Sequence, residues 1–116
     1  MTSVQPPLAV CLDPVPIEPR RLTDAETATV AKALGHPIRL QILELFHARC
    51  PRTAGDIAAE LPLAQSTVSV HLGRLRQADV IRTLRTGQAA WHCLNRSVLI
   101  GFVDSVTRLA RSAELT

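Results

Sequence analysis

Aromatic side chains are nearly missing from this chain, whose 116 residues include no Tyr, one Trp and two Phe. Its apolar content of 47% must therefore come mainly from Leu, Val, Ile and Ala, a composition that favours helices packed on helices. Burial stabilises by roughly 25 cal/mol per Å² of apolar surface, and a domain this small has little to bury, so dimerisation would add stability. Lysine is reduced to Lys32, against twelve arginines and ten acidic residues, for a net charge of +3. The planar arginine fork suits phosphates and guanine edges. No apolar run approaches the roughly 18–20 residues that span a bilayer, and the N-terminus lacks the charged and apolar regions of a signal peptide. We therefore expect a cytoplasmic protein with no membrane association. Cysteine is scarce and odd in number; Cys11, Cys50 and Cys93 are far apart in sequence, which suits a reducing compartment better than a disulfide framework. A Gly-rich phosphate loop, a nucleophile motif and paired carboxylates are all lacking, so the sequence offers no enzyme signature.

What is there divides at about residue 22. Residues 1–22 hold five of the eight prolines and read as a flexible, non-helical arm whose distinctive residue is Cys11. Residues 23–116 read as one domain. Thr23-Asp24-Ala25-Glu26 is a capping-box pattern and opens a first helix at about 23–35, ended by Gly35. Pro37 suits the first turn of a second helix, at about 37–48, whose Ile38, Ile42, Leu45 and Phe46 read as core. Thr53-Ala54-Gly55-Asp56 repeats the capping pattern for a short third helix that Pro62 stops. Residues 65–78 form a fourth helix with Val68, Leu72 and Leu75 on one face, completing a helix-turn-helix. Residues 80–85 and 88–94 lean towards strand around Thr86-Gly87, the composition of a hairpin or wing. Asn95 is a plausible cap for a last amphipathic helix, 96–113, whose apolar stripe from Leu99 to Ala113 needs a partner surface. The predicted fold is mainly α with a small β-hairpin, a winged helix-turn-helix.

The fourth helix is the element to put in a major groove. Its exposed residues, Gln65, Ser66, Thr67, Ser69, His71 and Arg74, are hydroxyls, an amide, an imidazole and a guanidinium that hydrogen-bond base edges and phosphates. Arg82 and Arg85 in the hairpin supply the positive field for docking on double-stranded DNA.

Two motifs carry a family resemblance over roughly residues 28–95. Ala33-Leu34-Gly35-His36-Pro37-Ile38-Arg39-Leu40-Gln41-Ile42-Leu43 resembles the junction of the first two helices in the ArsR/SmtB repressors, and Gln65-Ser66-Thr67-Val68-Ser69-Val70-His71-Leu72 resembles their recognition helix. The resemblance implies a homodimer joined through its first and last helices, bound to an inverted-repeat operator and released by an inducer. Two inducer sites common in that family are absent. The stretch matching a Cys-x-Cys at the third helix reads Thr53-Ala54-Gly55, and the last helix contains Asp104 but no histidine. Ala64 also replaces a frequent serine cap, whose hydroxyl contributes about 1 kcal/mol.

Thiol chemistry remains. Cys50 is flanked by Arg49 and Arg52, whose charges favour thiolate, and Cys11 is carried by the arm. Some arsenic-responsive members resemble this arrangement, pairing an arm cysteine with one before the third helix of the other protomer. An extended chain from Cys11 to Thr23 would reach about 35–40 Å, enough to meet a partner. Trivalent arsenic or antimony is accordingly the expected inducer, held by Cys11 and Cys50 with Cys93 as a candidate third ligand. The competing readings are a redox or persulfide sensor using the same thiols, and a zinc-type site that includes His47 and Cys50. Cys50 and Cys93 also admit an ordinary reading as small buried hydrophobes, and His36 and Trp91 read as structural.

Overall fold

A computed structural model describes residues 7–11 and 17–114, with side chains as far as Arg111. Among these residues, five α-helices and one antiparallel hairpin follow a short 3-10 turn in the order α1 Asp24–Leu34, α2 Pro37–Ala48, α3 Ala54–Glu60, α4 Gln65–Gln77, β1 Ile81–Thr86, β2 Ala89–Leu94 and α5 Arg96–Glu114. The predicted boundaries hold to within one or two residues, because the chain marks them chemically. Thr23 and Thr53 each accept from the amide three residues on, while Glu26 and Asp56 reach back to the cap amides, closing two complete capping boxes. His36 Nδ1 accepts from Ile38 N and Pro37 occupies the first turn, so α2 begins without an orphan amide at that position. Ala64 leaves α4 without a side-chain cap, as its methyl group dictates.

α4 ends in a Schellman turn that aims the hairpin. Val80 N donates to Leu75 O and Asp79 N donates to Arg76 O, with Asp79 in the left-handed region at φ 59°. Leu75 and Val80, the apolar pair of that motif, are both fully buried. They join Val30, Ile42, Ile57, Val68 and Val98 in one core between the helices and the hairpin base. Each such side chain contributes roughly 1.5–3 kcal/mol by leaving water.

The hairpin pairs Ile81 with Leu94 through Thr86 with Ala89, and turns at Gly87, whose φ of +59° is open to glycine without strain. Arg52 extends this sheet by one residue, exchanging backbone hydrogen bonds with His92 at 3.0 and 2.8 Å. Asn95 stands immediately before α5, where its carbonyl accepts from Leu99 N at 3.3 Å and its side-chain oxygen accepts from the Ser97 hydroxyl at 3.0 Å.

The arm departs most from expectation. Leu8–Cys11 forms one turn of 3-10 helix packed on both strands, with Val10 buried. Prolines exclude a long helix, but none interrupts these four residues, and a single turn needs few hydrogen bonds. The hairpin supplies an apolar face that Val10 can enter. Further on, Leu22 belongs to the main core, and Arg20 is held by its amide on Ser97 O and by ion pairs to Glu26 and Asp79. Gly101 makes that crossing possible, since an added Cβ would lie 1.9 Å from Arg20 O. No helix among the described residues is long and apolar enough to cross a membrane.

Candidate nucleic-acid interface and thiol cluster

α4 leaves Gln65, Ser66, Thr67, Ser69, Val70, Arg74, Arg76 and Gln77 exposed, while Val68, Leu72 and Leu75 anchor it below. On the side facing the wing, Gln65, Ser69 and Arg76 line a groove of about 570 Å³ together with Arg85, Gln88 and the start of α3. Helix and wing thus converge on one polar, positively charged surface without a carboxylate in its lining. Such a surface has the charge and hydrogen-bonding groups to take a phosphate backbone, with the outer line of the helix left open to base edges.

Of the expected contact residues, Gln65, Ser69 and Arg85 line this groove and Ser66, Thr67 and Arg74 are exposed elsewhere on α4, Arg74 in a separate depression with Lys32 and Arg39, whereas His71 and Arg82 are drawn into other contacts. His71 is half-buried; its Nδ1 accepts from Arg39 Nε at 3.3 Å, and its ring lies 4.6 Å from that of His36. Burial first, and then the charges of His36 and Arg39, hold its pKa below the ordinary value. Arg82 is paired with Cys93 across the hairpin and lies under the arm turn beside Ala9 and Val10. Strand periodicity explains the split: positions 82 and 85 are an odd number apart, so they take opposite faces. That parity was readable from the sequence. Val70, 63% exposed one turn from both Ser66 and Arg74, is a further candidate that reading for polar residues passes over; its methyl groups suit a thymine methyl.

On the opposite face of the hairpin base, three elements bring the cysteines together. Cys50 comes from the α2–α3 loop, Cys93 from β2 and Cys11 from the arm turn, and their sulfurs all lie within 4.8 Å of one another. Cys50 and Cys93 are joined as a disulfide with Cα atoms 5.8 Å apart, and Cys11 Sγ lies 2.8 Å from Cys93 Sγ. The backbone pairing of Arg52 with His92 fixes this meeting, since Cys50 and Cys93 flank that bridge. Arg52 is itself buried; Nε donates to Leu45 O and Arg49 O, both at 2.9 Å, and Nη1 contacts Glu60 Oε1 at 2.6 Å. Its charge is thereby directed to Glu60 rather than to the Cys50 sulfur. Arg49 contacts Asp56 at 4.0 Å. His47 is exposed and is not part of the three-sulfur cluster.

The three sulfurs are a soft donor set. An ion with bonds to sulfur of about 2.3 Å would hold three of them at most about 4 Å apart, which the cluster reaches with small side-chain rotations once Cys50 and Cys93 are thiols. A four-coordinate zinc site would need a further ligand, and the cluster among the described residues has three.

A helix-turn-helix followed by a wing, with a hydrogen-bonding outer helix and arginines beside it, defines a winged-helix transcriptional regulator. Comparison with known proteins agrees. Residues 34–83 match a helix-turn-helix domain family. The chain is 41% identical over 70 residues to the transcriptional repressor SdpR of Bacillus subtilis, covering 60% of this chain and 77% of that protein. It is 33% identical over 93 residues to the biofilm growth-associated repressor of Agrobacterium fabrum, covering 80% and 77%. In fold it superposes on an ArsR-like transcriptional regulator from Rhodococcus sp. RHA1 with TM-score 0.70 at 22% identity, over 78% of this chain and 84% of that one. The chain belongs to the ArsR/SmtB family of DNA-binding transcriptional regulators.

Proposed function

We propose that this chain is a homodimeric, cytoplasmic repressor that holds an inverted-repeat operator and leaves it when trivalent arsenic or antimony bonds to Cys11, Cys50 and Cys93. The observation that carries the inducer is the meeting of all three sulfurs within 4.8 Å. Trivalent arsenic and antimony are soft and favour sulfur, and three thiols match their three valences. DNA binding rests on the exposed face of α4 and on the groove it shares with Arg85 and Gln88. Dimerisation rests on the exposed apolar line of α5, where Val103, Val106 and Leu109 are 61%, 45% and 70% exposed. A two-fold pair of recognition helices would read half-sites about one helical turn of DNA apart.

A second reading is favoured by the Cys50–Cys93 disulfide itself. Peroxide would take two electrons and two protons from the two thiols, forming that disulfide and two waters, and the wing base would be locked in place of an ion.

One titration separates the two. An operator selected from random duplexes is bound by reduced protein, and release is followed against arsenite, antimonite, zinc, peroxide and polysulfide. The arsenic reading expects release by arsenite and antimonite near one equivalent per chain, lost in Cys11→Ser. Release by peroxide that survives Cys11→Ser but not Cys50→Ser would put the redox reading first. Ser69→Ala should weaken specific binding by about tenfold, whereas Arg85→Ala should lower the salt dependence of binding by about one unit of slope. If neither change alters operator affinity by more than twofold, the DNA face is wrongly assigned.

A further inference from the structure

The thiol cluster lies wholly within one chain. Cys11 reaches Cys93 of its own β2, Val10 beside it is buried on the same hairpin, and the arm is fastened further along by Arg20 to Ser97, Glu26 and Asp79 of the same protomer. Both described ends of the arm are thus committed to their own domain. Reach alone had left a partner protomer equally accessible.

We infer that each protomer carries a complete sensor, a three-sulfur pocket in cis that takes one three-coordinate, thiophilic ion, with the arm turn as its third wall. The inference rests on the arsenic reading above and specifies its site. Ligand entry is redox-neutral: arsenous acid loses three hydroxyl groups, three sulfur–arsenic bonds form, and the three thiol protons leave with the hydroxyls as three waters. The disulfide must first be opened by a dithiol reductant, which supplies two electrons and two protons and becomes a disulfide itself. Because Cys50 and Cys93 flank the Arg52–His92 bridge, the ion would join the loop before α3 to the base of the wing, and through Cys11 would add the arm to them. Two sites per dimer would then fill independently of subunit pairing.

Differently tagged chains, one Cys11→Ser and the other Cys50→Ser, are co-expressed and the mixed dimer is isolated. Both substitutions fall on half-buried residues, Cys50 packed against the main core and not within it, so the fold should survive, and operator binding without inducer checks that it does. A site in cis leaves no complete pocket in this dimer. Arsenite affinity should then fall by about 100-fold or more through loss of an intramolecular ligand, and release from DNA should disappear. A site in trans would keep one intact pocket per dimer, and retention of one tightly bound arsenic with wild-type affinity would overturn the inference while leaving the arsenic reading intact. Failure of the wild-type dimer to bind arsenite would instead remove the reading beneath it. An independent measurement uses mixed dimers of isotopically light and heavy wild-type chains, reduced with a phosphine and treated with a short bifunctional thiol reagent. Cross-links of Cys11 to Cys93 should be all-light or all-heavy; light–heavy links would overturn the inference.

Discussion

The two ends of the hairpin have different surroundings. At the base, Trp91, His92, Cys93 and Leu94 are all buried, sandwiched between the helical body on one face and the arm turn on the other. At the tip, Leu84, Arg85, Thr86, Gly87 and Gln88 are exposed. A single pair of strands therefore joins a closed, sulfur-bearing end to an open, charged end. The strands alone do not make this difference, because both ends have the same ladder of hydrogen bonds. It comes from what is packed outside them: Arg52 and the arm cover the base, and nothing in the described chain covers the tip.

Acid should expose the difference most strongly. Burial, and secondarily the charges of Arg76 and Arg85, push His92 down to about 4 from the ordinary 6.5. Its neutral ring contacts Thr83 Oγ1 at 2.8 Å. Below pH 6.5 the unfolded chain takes up a proton that the folded chain refuses, so stability present above that pH is lost progressively down to about pH 4, then levels off. The full loss amounts to about 3 kcal/mol. Urea unfolding at pH 7.5 and 4.5 should show it, and His92→Gln should flatten the slope; an unchanged slope would mean that His92 is not the group responsible.

Removing the buried guanidinium at the same end should come next. Arg52→Ala leaves Leu45 O and Arg49 O without a side-chain donor and should cost about 2–3 kcal/mol in urea unfolding. Glu60→Gln should cost less than about 1 kcal/mol, because that carboxylate is 46% exposed. Equal losses in the two variants would show that the ion pair, not the carbonyl bonds, holds the loop.

A smaller effect tests whether the base is closed by the arm. Gly101→Ala would drive a methyl group into Arg20 O and displace the arm where it crosses α5, at about 1–2 kcal/mol. Cys11 should then react faster with a thiol reagent. Unchanged stability and unchanged Cys11 reactivity would mean that the arm turn is held by its own contacts to the hairpin. The open end should respond least: Arg85→Ala and Ser69→Ala should stay within about 0.5 kcal/mol of wild-type stability, whatever they do to DNA binding. A larger loss would make the tip part of the folded core rather than a free contact surface.

Much of the architecture was legible because its signals are local. Thr23 with Glu26, and Thr53 with Asp56, announce helix starts within four residues, and Gly35-His36-Pro37 marks a stop and a start within three. The apolar period of α4 marked which of its faces is buried, and hence which of its residues are left exposed, whereas the apolar line of α5 stands largely exposed. Arg82 could have been separated from Arg85 by counting. His71 could not, because its partners His36 and Arg39 are on another helix.

The sequence by itself determined the winged-helix order, the hydrogen-bonding outer face of α4 and the supply of three thiols. Their meeting was decided only by tertiary structure, because it depends on Arg52 pairing with His92 across forty residues and on Val10 finding a buried seat on the hairpin. Neither event leaves a period or a spacing in the chain. Helix caps and strand parity are set by backbone groups a few bonds apart. A three-sulfur cluster drawn from an arm, a loop and a strand is set by packing, which exists only once the core has closed.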